Sequence, residues 1–99
     1  MAVTALIADD EAPMREQLRA RLLEVWPDLQ IVALAANGVE AVEMATRLQP
    51  QIVFLDIRMP GMGGIEAARH LYDRCHIVFV TAYDQYAVDA FEHGAIDYL

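Results

Sequence analysis

Ile52-Val53-Phe54-Leu55-Asp56 is a run of four apolar residues closed by a carboxylate. A strand that is apolar on both faces belongs in the middle of a parallel sheet, covered by helices above and below. The aspartate that ends it is the informative residue. An unpaired buried carboxylate is costly, so one placed at a strand end points to a cleft with a purpose.

Strand-like and helix-like patterns alternate outward from this run in both directions. Upstream, Val3 to Ala8 (VTALIA) and Ile31 to Ala35 read as strands. Between them Pro13 suits the first turn of a helix. Met14, Leu18, Leu22 and Val25 then recur at helical spacing, and Pro27 stops the helix. Asn37 with Glu40 predicts an N-cap and its capping-box partner. Val42, Ala45 and Leu48 form the apolar stripe of that second helix, and Pro50 ends it. Downstream, Met59 to Gly64 (MPGMGG) is a glycine-rich loop. Ile65 to Tyr72 reads as a helix, Ile77 to Thr81 (IVFVT) as a fourth strand, and Ile96 to Leu99 as the start of a fifth. Asp84 is placed to cap a helix running to His93, with Gly94 as its stop. Strict alternation predicts an α/β domain with a parallel sheet. Right-handed crossovers are its default.

The 99 residues allow one domain, spanning 1–99, and 57% of them are hydrophobic, which argues against disorder. All seven basic residues are arginines, and the net charge of −8 repels nucleic acid and anionic membranes. No nucleic-acid binding is expected of this segment. The acidity also serves as an ordinary solvated surface. Cys75 is the only cysteine, so no internal disulfide is possible, which fits a reducing compartment. The short apolar run at the N-terminus lacks the basic flank of a signal peptide, and no stretch reaches membrane-spanning length. The chain therefore reads as soluble and cytoplasmic.

Polar groups stand at the C-terminal ends of three expected strands: Asp9 and Asp10 after the first, Asp56 after the third and Thr81 after the fourth. Ligands of open α/β sheets bind outside those ends. With the first, third and fourth strands as neighbours, the groups converge on one pocket. Three carboxylates in one place repel each other, and a divalent cation removes that repulsion. Hard oxygen ligands suit Mg²⁺, which keeps several waters and often binds phosphate too. Such a site fits phosphoryl transfer to Asp56, giving an acyl phosphate, with Thr81 donating to the modified group. Each residue also has a plainer reading. Acidic residues before a helix are favoured by its dipole, and threonine suits strands. The MPGMGG loop lacks GxGxxG or a Walker lysine, so it reads as a tight connection. Arg69, His70, His76 and His93 have no metal-ligand spacing with Cys75 and are expected at the surface or at helix ends.

Together LIADDE (6–11), VFLDIRMPGMGG (53–64), VFVTAYD (78–84) and GAIDYL (94–99) resemble the receiver domain of two-component response regulators. The stretch AYDQYAVDAFEHGAIDYL (82–99) is most similar to the class whose output is a LytTR DNA-binding domain. The resemblance implies a flavodoxin-like, doubly wound parallel sheet of order 2-1-3-4-5. It implies Asp56 as phosphoacceptor, and Asp9 and Asp10 as the acidic pair that holds Mg²⁺ beside Asp56 and the backbone carbonyl of Arg58. It further implies Thr81 as switch hydroxyl, Tyr98 as switch aromatic, and Ala82 as a small residue leaving the phosphoryl group accessible. Tyr86, Asp89 and Ala90 fall on the family's signalling face. A sensor histidine kinase and an output domain of the parent protein are the implied partners.

The family's pattern continues past Tyr98 into a lysine and a last helix, both beyond Leu99. The chain thus reads as a receiver truncated before its final helix. The expected consequence is apolar strand residues exposed beside the first helix, covered by a homodimer or by segment exchange. Two other functions compete. A haloacid dehalogenase-type phosphohydrolase also uses an aspartate after a strand, but wants a second acid two positions on, where Arg58 stands. A non-phosphorylated interaction module with the same fold would not need Asp9, Asp10, Asp56 and Thr81 together.

Overall fold

The computed structural model describes residues 2–80 and the short strand at 97–98. The elements run β1 (Thr4–Ala8), α1 (Ala12–Val25), β2 (Gln30–Ala35), α2 (Gly38–Leu48), β3 (Ile52–Leu55), α3 (Gly64–Leu71), β4 (His76–Phe79) and β5 (Asp97–Tyr98). The strands form one parallel sheet of order β2-β1-β3-β4-β5, as the resemblance implied. The helix expected at Asp84 to His93, and with it Thr81, Ala82, Tyr86, Asp89 and Ala90, lies outside the described residues.

β3 sits between β1 and β4, so both of its edges are hydrogen-bonded, and apolar layers cover both of its faces. Its side chains alternate between two apolar layers. Val53 and Leu55 join Leu6, Ala8, Ile77 and Phe79 under α2 and α3, whose Ala41, Ala45, Ala67, Ala68 and Leu71 supply the helical side. Small alanines let these two helices lie close to the sheet. Phe54 faces the other way with Ala5, Ile7 and Val78, against Leu18 and Leu22 of α1 and Leu29 of the connection that follows it. Full burial of a side chain such as Phe79 or Leu55 contributes roughly 1.5–3 kcal/mol.

That second layer corrects an expectation. The apolar strand residues beside α1 were expected to be exposed, yet Ala5, Ile7, Phe54 and Val78 are all buried. Leu18 and Leu22 pack down on them, and Leu29 and Val80 close the margins. The apolar stripe of α1 is narrower than its spacing suggested. Leu18 and Leu22 face the sheet, whereas Met14 and Val25 are exposed.

Helix ends follow the punctuation closely. Pro13 lies in the first turn of α1, and the helix stops at Val25, ahead of Pro27. The Asn37 side chain accepts the Glu40 amide at 2.9 Å, capping α2. Glu40 reaches back, but to the amide of Ala36 (2.9 Å) rather than to that of the cap residue, so the expected capping box is shifted by one residue. At the far end of α2 Gln49 adopts φ 50°, the left-handed conformation that stops a helix, and buried Pro50 follows it.

Candidate functional site

Parallel strands place the site through their ladders. β2, β1 and β3 each end on a residue whose carbonyl accepts the amide one step past the end of the next strand in the sheet. The Asp9 amide donates to Ala35 (3.0 Å), the Asp56 amide to Ala8 (2.9 Å) and the Val80 amide to Leu55 (2.9 Å). Asp9 and Asp56 are thus the first residues past adjacent strands, anchored by backbone bonds while their side chains leave the sheet. β3 ends at Leu55, so Asp56 stands just outside the strand rather than as its last residue.

One carboxylate oxygen each from Asp9, Asp10 and Asp56 lies within 4.8 Å of the others. Asp9 and Asp56 are half-buried and Asp10 is exposed. At such separations each pair of charges repels by roughly 1–3 kcal/mol, depending on local solvent. Burial and this repulsion together raise two of the carboxyls. Burial, then the charge of Asp9, pushes the Asp56 carboxyl up to about 6; the Arg58 amide opposes this and Asp10 adds to it. Burial also raises Asp9, against the pull of the Glu11 amide and of Arg15.

Backbone amides hold two of the carboxylates. Asp9 Oδ1 accepts from the Glu11 amide at 2.9 Å, and Asp56 Oδ1 accepts a longer bond, 3.4 Å, from the amide of Arg58. The guanidinium of Arg15 donates to the Asp9 backbone carbonyl at 2.7 Å. The loop after β3 is fixed from both sides. Gly64, the first residue of α3, donates its amide to Ile57 (2.9 Å), and Gly38, the first residue of α2, donates to Met62 (3.1 Å). A Cβ on Gly64 would overlap the Asp56 carbonyl, and one on Gly38 would overlap that of Met62. The glycine-rich loop is therefore the tight connection expected of it, and Gly61 (φ 72°) makes its turn.

The donor set suits a hard divalent cation. It is all oxygen, supplies few ligands and stays open to water at Asp10, the conditions under which Mg²⁺ binds. Asp9, Asp10 and Asp56, expected to converge, do converge. Arg58 is present through its amide at the Asp56 carboxylate, with its side chain exposed. Tyr98 lies in β5, paired with Phe79, and its side chain is outside the described residues, as is Thr81. His70 and Arg69 are exposed as expected; Cys75 is buried and His76 half-buried. Sequence reasoning missed Arg15, Gly38 and Gly64. An arginine near a helix start and two helix-opening glycines gave a signal, but not one that named what they touch.

Comparison with known proteins agrees with this geometry. The response regulator receiver domain family matches residues 5–99. An uncharacterized response regulatory protein of Vibrio cholerae is 54% identical over 99 residues, covering 97% of this chain and 38% of its own length. The transcriptional regulatory protein BtsR of Salmonella typhi is 46% identical, covering 98% of this chain and 41% of its own. The chain thus spans about two-fifths of the length of these relatives. Among solved structures, response regulator protein TrrA from Thermotoga maritima, in complex with Mg²⁺-BeF, superposes with a TM-score of 0.86 at 33% identity, covering 98% of this chain and 84% of that one. Among the described residues no helix is long and apolar enough to cross a membrane. With the sheet order, the acidic cluster and a family match over nearly its whole length, the chain belongs to the response regulator receiver domain family, a regulatory domain of two-component signalling.

Proposed function

We propose that this receiver is a phosphorylation switch in which Asp56 accepts a phosphoryl group from the phosphohistidine of a sensor kinase. The observation that carries the reading is the convergence of Asp9, Asp10 and Asp56 at the C-terminal ends of adjacent strands. An Asp56 carboxylate oxygen attacks phosphorus as the P–N bond to the kinase imidazole breaks. The product is an acyl phosphate, and the leaving imidazole takes a proton from solvent. Asp9, Asp10, Asp56 and the Arg58 carbonyl would hold Mg²⁺. When bound, the ion neutralises the carboxylates and the charge developing on the phosphoryl oxygens.

The chain's own residues prepare the site. The Ala8 carbonyl holds the Asp56 backbone, the Arg58 amide orients its carboxylate, and Gly64 lets the following helix start directly against it. Thr81 and Tyr98 take the roles of switch hydroxyl and switch aromatic, by resemblance. The parent protein is read as a cytoplasmic transcription regulator with a LytTR-type output; the 82–99 stretch supports the output class by resemblance, and the similarity to the transcriptional regulatory protein BtsR supports a role in transcription. The phosphohydrolase reading is disfavoured because Arg58 stands where that chemistry wants an acid.

Borohydride reduction tests the assignment. After incubation with acetyl phosphate and Mg²⁺, reduction converts an acyl phosphate to an alcohol at the modified residue. Peptide mapping is expected to find homoserine at Asp56. Trapping at another aspartate would reject Asp56 as the acceptor.

A further inference from the structure

Arg15 takes no part in the chemistry above, yet it is fixed against the acidic corner. Its Nη1 donates to the Asp9 carbonyl at 2.7 Å, and the residue is half-buried on an otherwise exposed helix start. Two features make the placement informative. A cation near the N-terminus of a helix opposes the macrodipole, at a cost of about 0.3–1 kcal/mol. Arg15 is the fourth residue of α1, so its charge is misplaced with respect to its own helix. What offsets this is the Asp9 corner of the cluster: the guanidinium is bonded to the Asp9 carbonyl, and its charge lowers the Asp9 carboxyl. Moreover, the guanidinium bonds to a backbone carbonyl. Among the described residues it forms no ion pair, so it leaves the carboxylate oxygens open to a cation.

We propose that Arg15 is a positioning residue and a built-in counter-charge for the acidic site. It holds the Asp9–Asp10 corner by the backbone and offsets part of the carboxylate repulsion while no metal is bound. The proposal rests on reading the three aspartates as a divalent-cation site. Linkage then fixes the sign of its effect. A group that stabilises the metal-free form more than the bound form weakens metal binding by the same factor. Arg15 thus holds the site together at the expense of Mg²⁺ affinity.

Calorimetric titration with Mg²⁺ of the unmodified chain, Arg15→Met, Arg15→Gln and Arg15→Lys tests this. Loss of one nearby charge should tighten Mg²⁺ binding about three- to tenfold at low ionic strength, and the gain should shrink in molar salt. Arg15→Lys, which keeps the charge, should stay within about twofold. Melting curves supply a readout without metal. The midpoint of Arg15→Met should fall further in EDTA than in saturating Mg²⁺. Arg15→Gln keeps a donor for the Asp9 carbonyl and should show the same tightening if Arg15→Met does not fold. Unchanged or weaker Mg²⁺ binding in both uncharged variants would overturn the role given to Arg15 and leave the metal site standing. No Mg²⁺ binding by the unmodified chain would overturn both.

Discussion

Gly64 opens α3 directly against the carbonyl of Asp56: a Cβ there would overlap the Asp56 oxygen and crowd the Ile57 Cα. The phosphoacceptor candidate and the helix that follows it are therefore packed backbone to backbone. Gly64→Ala must move one of them. The expected cost is about 1–3 kcal/mol, as for other overpacked sites, together with weaker Mg²⁺ binding. Gly61→Ala meets no atom within 4 Å and carries only the strain of φ 72°, so it should cost about 1–2 kcal/mol and leave Mg²⁺ affinity in place. Urea unfolding and calorimetry on the two variants make the comparison.

Asp56 gives the metal-free protein a distinct pH dependence. Its carboxyl is pushed up to about 6 in the folded state, from an ordinary value of 3.8. Between about pH 4 and 6 the folded form therefore holds a proton that the unfolded chain has lost. Stability falls as pH rises through that window, and the full penalty persists above it. Asp56→Asn should remove the penalty, stabilising the metal-free protein at pH 7 by about 1–2 kcal/mol after allowing for solvent screening. It should also flatten the slope of stability between pH 4 and 6. Urea midpoints in EDTA across that range would show it, and a steeper slope in the variant would contradict the account.

The Asn37 cap holds the start of α2 and supplies no side chain to the acidic cluster. Asn37→Ala removes the acceptor of the Glu40 amide and should lower stability by about 1 kcal/mol. Mg²⁺ affinity, followed by calorimetry, should not move.

Phe79 is fully buried at the end of β4, in the layer under α2 and α3. Phe79→Ala should cost about 3–5 kcal/mol, a large share of the stability of a domain this size. A urea midpoint within error of the unmodified chain would contradict the packing described.

Much of this was legible in the residues themselves. The apolar run at Ile52 to Leu55 identified a central strand because only a strand covered on both faces needs no polar side. Pro27, Pro50 and Asn37 marked helix boundaries because their effects are local and backbone-based. The Asp9, Asp10 and Asp56 cluster followed from fold class, since strand ends in a parallel sheet share one edge. Long-range packing was not legible. Glycine at 38 or 64 states that a Cβ is absent but not what approaches in its place. The spacing of Met14 and Val25 matched the helical stripe, yet among the described residues of α1 it is Leu18 and Leu22 that pack on the sheet, while Met14 and Val25 stay exposed. At Val32 the β1–β2 register shifts, leaving that valine exposed on the edge strand. Such a bulge depends on the partner strand and has no signature in QIVALA alone.

The central claim is that Asp56 accepts the phosphoryl group. The most direct measurement is intact mass after incubation with acetyl phosphate and Mg²⁺, beside Asp56→Asn and a sample in EDTA. The account predicts a gain of one phosphoryl group by the unmodified chain with Mg²⁺, and none in either control. An equal gain by Asp56→Asn would contradict it.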